Sequence, residues 1–111
     1  MNIVLISEAA PTETYRHVAT DASQGLTASK LIDTGSSPHP NRVKQALITV
    51  ETYAVRVAFG GTTPTQGASG VGHSLEVNDS ISLDSWDAIS SFRFINETNG
   101  EAGVLQVTLG F

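Results

Sequence analysis

The chain has 111 residues, enough for one domain with a packed core, and eleven acidic against six basic residues leave a net charge of -5. That sign opposes the neutralisation of phosphates and argues against nucleic acid as a ligand. With no cysteine and only 6% aromatic residues, disulfide staples and thiolate metal sites are excluded, and the core must come mainly from Val, Ile and Leu.

Residues 1–13 read as an N-terminal arm ahead of a β domain over 14–111. Within the arm, Asn2 to Ser7 has a short strand pattern able to pair with a neighbouring subunit, and Pro11 ends it. The apolar run Ile3 to Ile6 has no basic flank and is far too short for a secretion signal or a membrane span. It predicts a product assembled in the cytoplasm without a membrane anchor. Tyr15 to Thr20 reads as a strand and Asp21 to Gly25 as a turn. Leu26 to Asp33 reads as extended chain, because the polar run 34–40 closes it without helix-capping chemistry.

The segment Val43 to Phe59 holds two period-2 runs around a very short break. Ala46, Ile48 and Val50 share one face of the first, and Val55, Val57 and Phe59 share one face of the second. Residues 60–72 then form a loop rich in Gly, Ser and Thr that no packed element would tolerate. Strand patterns resume over 73–77 and 80–84, which reads as a hairpin across Asn78 and Asp79, residues that tolerate left-handed angles. Residues 84–88 read as a corner, with Trp86 covering one end of the core. A strand over 89–95, a turn over 96–100 and a closing strand over 103–111 follow, the last with Leu105, Val107, Leu109 and Phe111 on one face. About seven or eight short strands without a useful amphipathic helix predict an all-β, single-domain antiparallel β-sandwich, jelly-roll-like.

Catalytic patterns are sparse. His17, His39 and His73 are scattered, and His73 and Glu76 fall on opposite faces of a strand, which disfavours a zinc or cupin-type iron site. No Gly-x-Ser-x-Gly elbow occurs, and the 60–72 loop lacks the Gly-Lys-Ser/Thr of a phosphate cradle. The expectation is a protein that is not an enzyme, with no catalytic residue, no cofactor and no metal. Candidate partner-binding residues are Gly60, Gly61, Thr62, Thr63, Pro64, Thr65 and Gln66 in the loop. Arg42, Lys44 and Arg56 join them as the one basic neighbourhood, which a hairpin would bring together on a solvent face. An alternative platform for a carbohydrate or receptor comprises Trp86, Tyr53 and the nearby Asp84 and Asp87.

The progression Arg42-x-Lys44-x-Ala46-Leu47-Ile48-x-Val50-Glu51-Thr52 continues through Val55-Arg56-Val57, Gly60-Gly61-Thr62-x-Pro64-Thr65, Gly72-His73-x-Leu75, Asp79-Ser80 and Phe92-Arg93-Phe94-Ile95. It resembles small virion-associated proteins of tailed bacteriophages. The likeness covers residues 40–111 and is a pattern of strands and turns, not a catalytic motif. It implies a β-sandwich located in the virion that decorates or cements a capsid lattice, commonly as a homotrimer. The major capsid protein, or another virion protein, would be the partner. A head-fibre base or tail adaptor is the related role, and no active-site residues come with the resemblance.

Overall fold

The computed structural model describes residues 11–33 and 41–111. Its elements in chain order are β1 (Pro11–Val18), β2 (Gln24–Gly25), a 3-10 turn (Ala28–Lys30), β3 (Ile32–Asp33), β4 (Asn41–Arg42), β5 (Gln45–Glu51), β6 (Val55–Ala58), β7 (His73–Leu75), β8 (Ser80–Leu83), α1 (Trp86–Ser91), β9 (Arg93–Asn96) and β10 (Val104–Gly110). Eight of these strands make two four-stranded antiparallel sheets, β1-β10-β5-β8 and β2-β9-β6-β7, while β3 and β4 pair with each other in the connection from β2 to β5. Pairing is nested: β1 with β10, β2 with β9, β5 with β8, β6 with β7. The chain is thus one long ribbon with its hairpin at β6–β7. Rolling it up so that β10 meets β5 and β9 meets β6 produces a jelly-roll β-sandwich.

Alternation in the sequence explains which faces meet. Ala46, Ile48 and Val50 on β5 and Leu105, Val107 and Leu109 on β10 are fully buried, and their register partners place them on one face of the first sheet. Val55 and Val57 on β6 and Phe94 on β9 supply the opposing face. Each such Val, Ile, Leu or Phe side chain removed from water contributes roughly 1.5–3 kcal/mol. Phe92 and Phe94, both fully buried, pack with ring centroids 5.8 Å apart against the inner face of the second sheet.

Several local expectations give way. The two runs of Val43 to Phe59 are both strands, but they do not pair. Thr52 adopts φ 72° and swings the chain from one sheet to the other, an arch that Gly103 permits because a Cβ there would meet the Tyr53 carbonyl at 2.6 Å. The expected hairpin across Asn78 and Asp79 is likewise a crossover. Asn78 has φ 77° and the Asp79 carboxylate accepts from Glu76 N at 2.8 Å, so the turn is built as its residues predict, yet β7 and β8 lie in different sheets. Residues 86–91 are helical where a corner and then a strand were expected. Ser85 caps that helix by accepting from Ala88 N at 3.1 Å, and Ile89 anchors it in the core. In place of continuous extended chain, 26–33 contains the 3-10 turn. Strand β1 begins at Pro11, inside the 1–13 segment; the strand pattern of Asn2 to Ser7, the run 34–40 and His39 lie outside the described residues.

Register also defines two ends. Val18, Val104 and Glu51 lie at what we call the upper end, and Gly110, Gln45 and Leu83 at the lower end. In the second sheet Asn96 is at the upper end, bonded through its N–H to Thr20 O at 2.9 Å, and Ala58, Arg93 and His73 point to the lower end. No helix among the described residues is long and apolar enough to cross a membrane.

Candidate functional site

The 60–72 loop leaves β6 at the lower end and folds back across the outer face of the second sheet. Gly60 and Gly61 start it with φ 69° and 86°, angles that side-chain-bearing residues rarely adopt. Thr65 then closes a compact ring: its N–H donates to Val71 O at 3.0 Å and its hydroxyl accepts from Val71 N at 2.7 Å. Gly70 fills the ring so tightly that a Cβ would stand 2.2 Å from the Thr65 carbonyl. This is an Ω-type loop packed on itself, not a free tether.

Beneath it lies Arg56. Val55 and Val57 face the core, so Arg56 faces outward, and its Nε donates to Gly67 O at 3.1 Å while Nη1 donates to Gly72 O at 2.9 Å. Nη2 lies 3.5 Å from the Glu97 carboxylate, with the Arg side chain only 12% exposed. Two more ties reach the upper end. Gly67 N donates to Glu97 O at 2.9 Å, and Gln66 Nε2 donates to Asp21 Oδ1 at 2.9 Å. Asp21 also accepts from Asn96 Nδ2 at 3.1 Å and from Gly100 N at 3.1 Å, and these three hydrogen bonds hold its carboxyl below the ordinary Asp range.

With the loop fastened, a groove of about 310 Å³ stands open at the lower end, lined by Ala58, Phe59, Thr62, Val71, Gly72 and His73. Phe59 is 37% exposed and Val71 51% exposed, although both are large and apolar. Phe59 is nonetheless positioned, since its ring centroid lies 5.6 Å from that of Phe92 and 6.4 Å from that of His73, both tilted. The groove runs beside β7, an edge strand of its sheet.

The sequence-derived candidates therefore divide. Gly60, Gly61, Thr62 and Thr63 are exposed at the rim, whereas Pro64 is buried and Thr65 and Gln66 spend their polar groups inside the loop or on Asp21. Arg56 is the strut of the loop and does not share a face with Arg42 and Lys44, because the arch after β5 carries β6 into the other sheet. Arg42 lies over the Trp86 ring, 5.0 Å from its centroid, and Lys44 is exposed, its N–H donating to Gly110 O at 2.8 Å. Phe59, Val71 and His73 were not singled out as contacts. Phe59 read as a core residue from its alternation; the signal for Val71 was a lone apolar residue between two glycines.

Trp86 and Tyr53 do not form one platform. Trp86 follows β8 at the lower end with one side covered by Arg42, while Tyr53, 45% exposed, follows β5 at the upper end. Among the described residues no three His, Asp or Glu side chains are grouped to hold a metal ion. His17 lies on β1 with its ring edge-on to Phe94 at 4.9 Å, and burial pushes its pKa below the ordinary His value. Gln24 Nε2 lies 2.7 Å from His17 Nε2, and His17 Nδ1 is buried without a hydrogen-bond partner. Compared with known proteins, the chain matches no family model, no curated protein and no solved structure.

Proposed function

We propose that this protein is a structural component of a bacteriophage virion. It acts as a decoration or cement protein that docks on the lattice of the major capsid protein through the Phe59–Val71 groove. The observation that carries the docking part is the exposure of Phe59, just after β6, beside Val71 on a loop fastened by Arg56, Gln66 and Gly67. A preorganised apolar pocket with a neutral Gly and Thr rim loses little entropy when an anchor side chain of a partner enters it. The virion part rests on the sequence pattern over residues 40–111. As a homotrimer on local three-fold positions, the protein would bind tightly through several modest contacts at once. A tail or head-fibre adaptor would use the same groove on a different virion protein. The role is binding, without catalysis or cofactor.

Titration of the purified protein onto shells lacking decoration tests this. Wild-type protein should saturate at a fixed ratio to the shell subunit, and Val71→Asp should lower occupancy at every concentration, because an unpaired carboxylate would have to be desolvated on docking. Equal occupancy by the two proteins would remove the groove as the contact. Absence of any wild-type binding would remove the lattice role, and a concentration-independent monomer in sedimentation would remove the trimer.

A further inference from the structure

The turn after β9 contains the one Asn-Gly step of the chain, Asn99-Gly100. At such a step the backbone nitrogen of the glycine can attack the asparagine side-chain carbonyl, because glycine sets no side chain in the way. A bond forms between Gly100 N and Asn99 Cγ, the nitrogen loses its proton, and ammonia leaves with the electron pair of the broken C–N bond. Water then opens the five-membered imide at either carbonyl, to aspartate or to isoaspartate. Water is the one co-reactant, and no oxidant or reductant is needed.

The local geometry permits the reaction and also restrains it. Glu101 N donates to Thr98 O at 3.1 Å, and Gly100 has φ 81°, with no heavy atom within 4 Å of the place a Cβ would take. This is a type II turn with its glycine at the position that needs a positive φ. Both Asn99 and Gly100 are exposed, so water and space are present. The nucleophile itself, however, is engaged: Gly100 N–H donates to Asp21 Oδ1 at 3.1 Å and lies 3.3 Å from Oδ2. Attack requires that nitrogen to shed its proton and turn toward Asn99. A carboxylate beside it opposes negative charge on the nitrogen and holds the peptide plane in place.

We propose that Asn99 is a self-modification site, deamidating through Gly100, and that Asp21 sets its rate by holding the Gly100 N–H. Asp21 is a poor base for removing that proton, since its own pKa is lowered by the bonds from Asn96, Gly100 and Gln66. Isoaspartate would add a methylene to the main chain of the turn and a negative charge one residue from the N–H that Asp21 holds. The same carboxylate ties Gln66, and the same turn presents Glu97 O to Gly67 N, so conversion would loosen the 60–72 loop. This inference does not depend on what the groove binds.

The test is incubation of the full chain at mildly alkaline pH, followed by peptide mapping that separates aspartate from isoaspartate. Folded wild-type protein should convert at Asn99 about tenfold or more slowly than wild-type protein in denaturant, the factor one charge-assisted hydrogen bond supplies. Asp21→Ala should approach the denatured rate. Asp21→Asn, which keeps an acceptor oxygen for the turn but not the charge, should also exceed the folded wild-type rate, and Gln66→Ala, which leaves the Asp21–Gly100 contact intact, should not. No conversion of Asn99 even in denaturant would remove the site. Equal rates for folded and denatured wild-type protein, or for wild-type protein and Asp21→Asn, would remove the control by Asp21.

Discussion

Gly70→Ala and Gly60→Ala separate steric from conformational cost in the same loop. Gly70 has no left-handed φ, but its added methyl would lie 2.2 Å from Thr65 O, 2.9 Å from Arg56 Nε and 2.9 Å from Gln66 O. Two of those neighbours are backbone, so the ring must open. Opening it releases the Thr65–Val71 pair, the Gly70 N bond to Gly67 O and the Arg56 Nε bond to Gly67 O. At about 1 kcal/mol net for each hydrogen bond, the loss is roughly 3–4 kcal/mol, a large share of a total stability of about 5–15 kcal/mol. Gly60 has open space for a methyl and φ 69°, so its substitution costs only the left-handed penalty of about 1–2 kcal/mol. Denaturant unfolding of both variants gives the two values, and amide exchange at Val71 reports the ring directly. Local opening of the loop alone would cap the Gly70→Ala loss at the free energy that fastens the loop. A Gly70→Ala protein with wild-type midpoint and unchanged Val71 protection would refute the reasoning.

Arg56→Met should keep the fold but speed proteolytic cleavage within 60–72, since Gly67 O, Gly72 O and the Glu97 carboxylate all lose their cation; an unchanged cleavage rate would show that the loop holds without its strut. Stability should fall as pH drops below about 6.5, the unfolded His range. The folded His17 pKa is lowered by burial, so the unfolded state binds the extra proton first, and the loss is complete once pH passes the folded value; a His17→Phe protein should lose this slope in acid titrations of unfolding free energy. The same sign holds for Asp21 at lower pH, where protonation costs its three acceptor contacts. Phe94→Ala should destabilise by about 3–5 kcal/mol through the cavity it leaves, read as a lower midpoint with unchanged slope in denaturant. Arg42→Ala should raise acrylamide quenching of the single tryptophan by uncovering one side of Trp86; unaltered quenching would mean that the guanidinium does not shield the ring.

Much of the sandwich is legible in the chain because strand alternation is a local property. Ala46, Ile48 and Val50, and Leu105, Val107 and Leu109, announce their buried face within a few residues, and the Gly-rich run 60–72 announces an interruption. Turn chemistry is legible as well: Asn78 and Gly100 take the positive φ values their types allow. What no local pattern contains is the partner of each strand. A turn such as 52–54 or 76–79 reads the same whether it closes a hairpin or passes the chain to the opposite layer, and only the packing of the two apolar faces against each other decides. That decision sent β6 away from β5, dispersed the supposed basic patch of Arg42, Lys44 and Arg56, and turned Arg56 into the strut of the loop. The helix at Trp86 carries a local signal, an N-cap Ser85 with Asp87 in the first turn, but its six residues are too few for a periodic pattern. The exposure of Phe59 and Val71 belongs to tertiary structure alone: alternation gives the side of a strand on which a residue lies, and only the folded loop determines whether that side is covered.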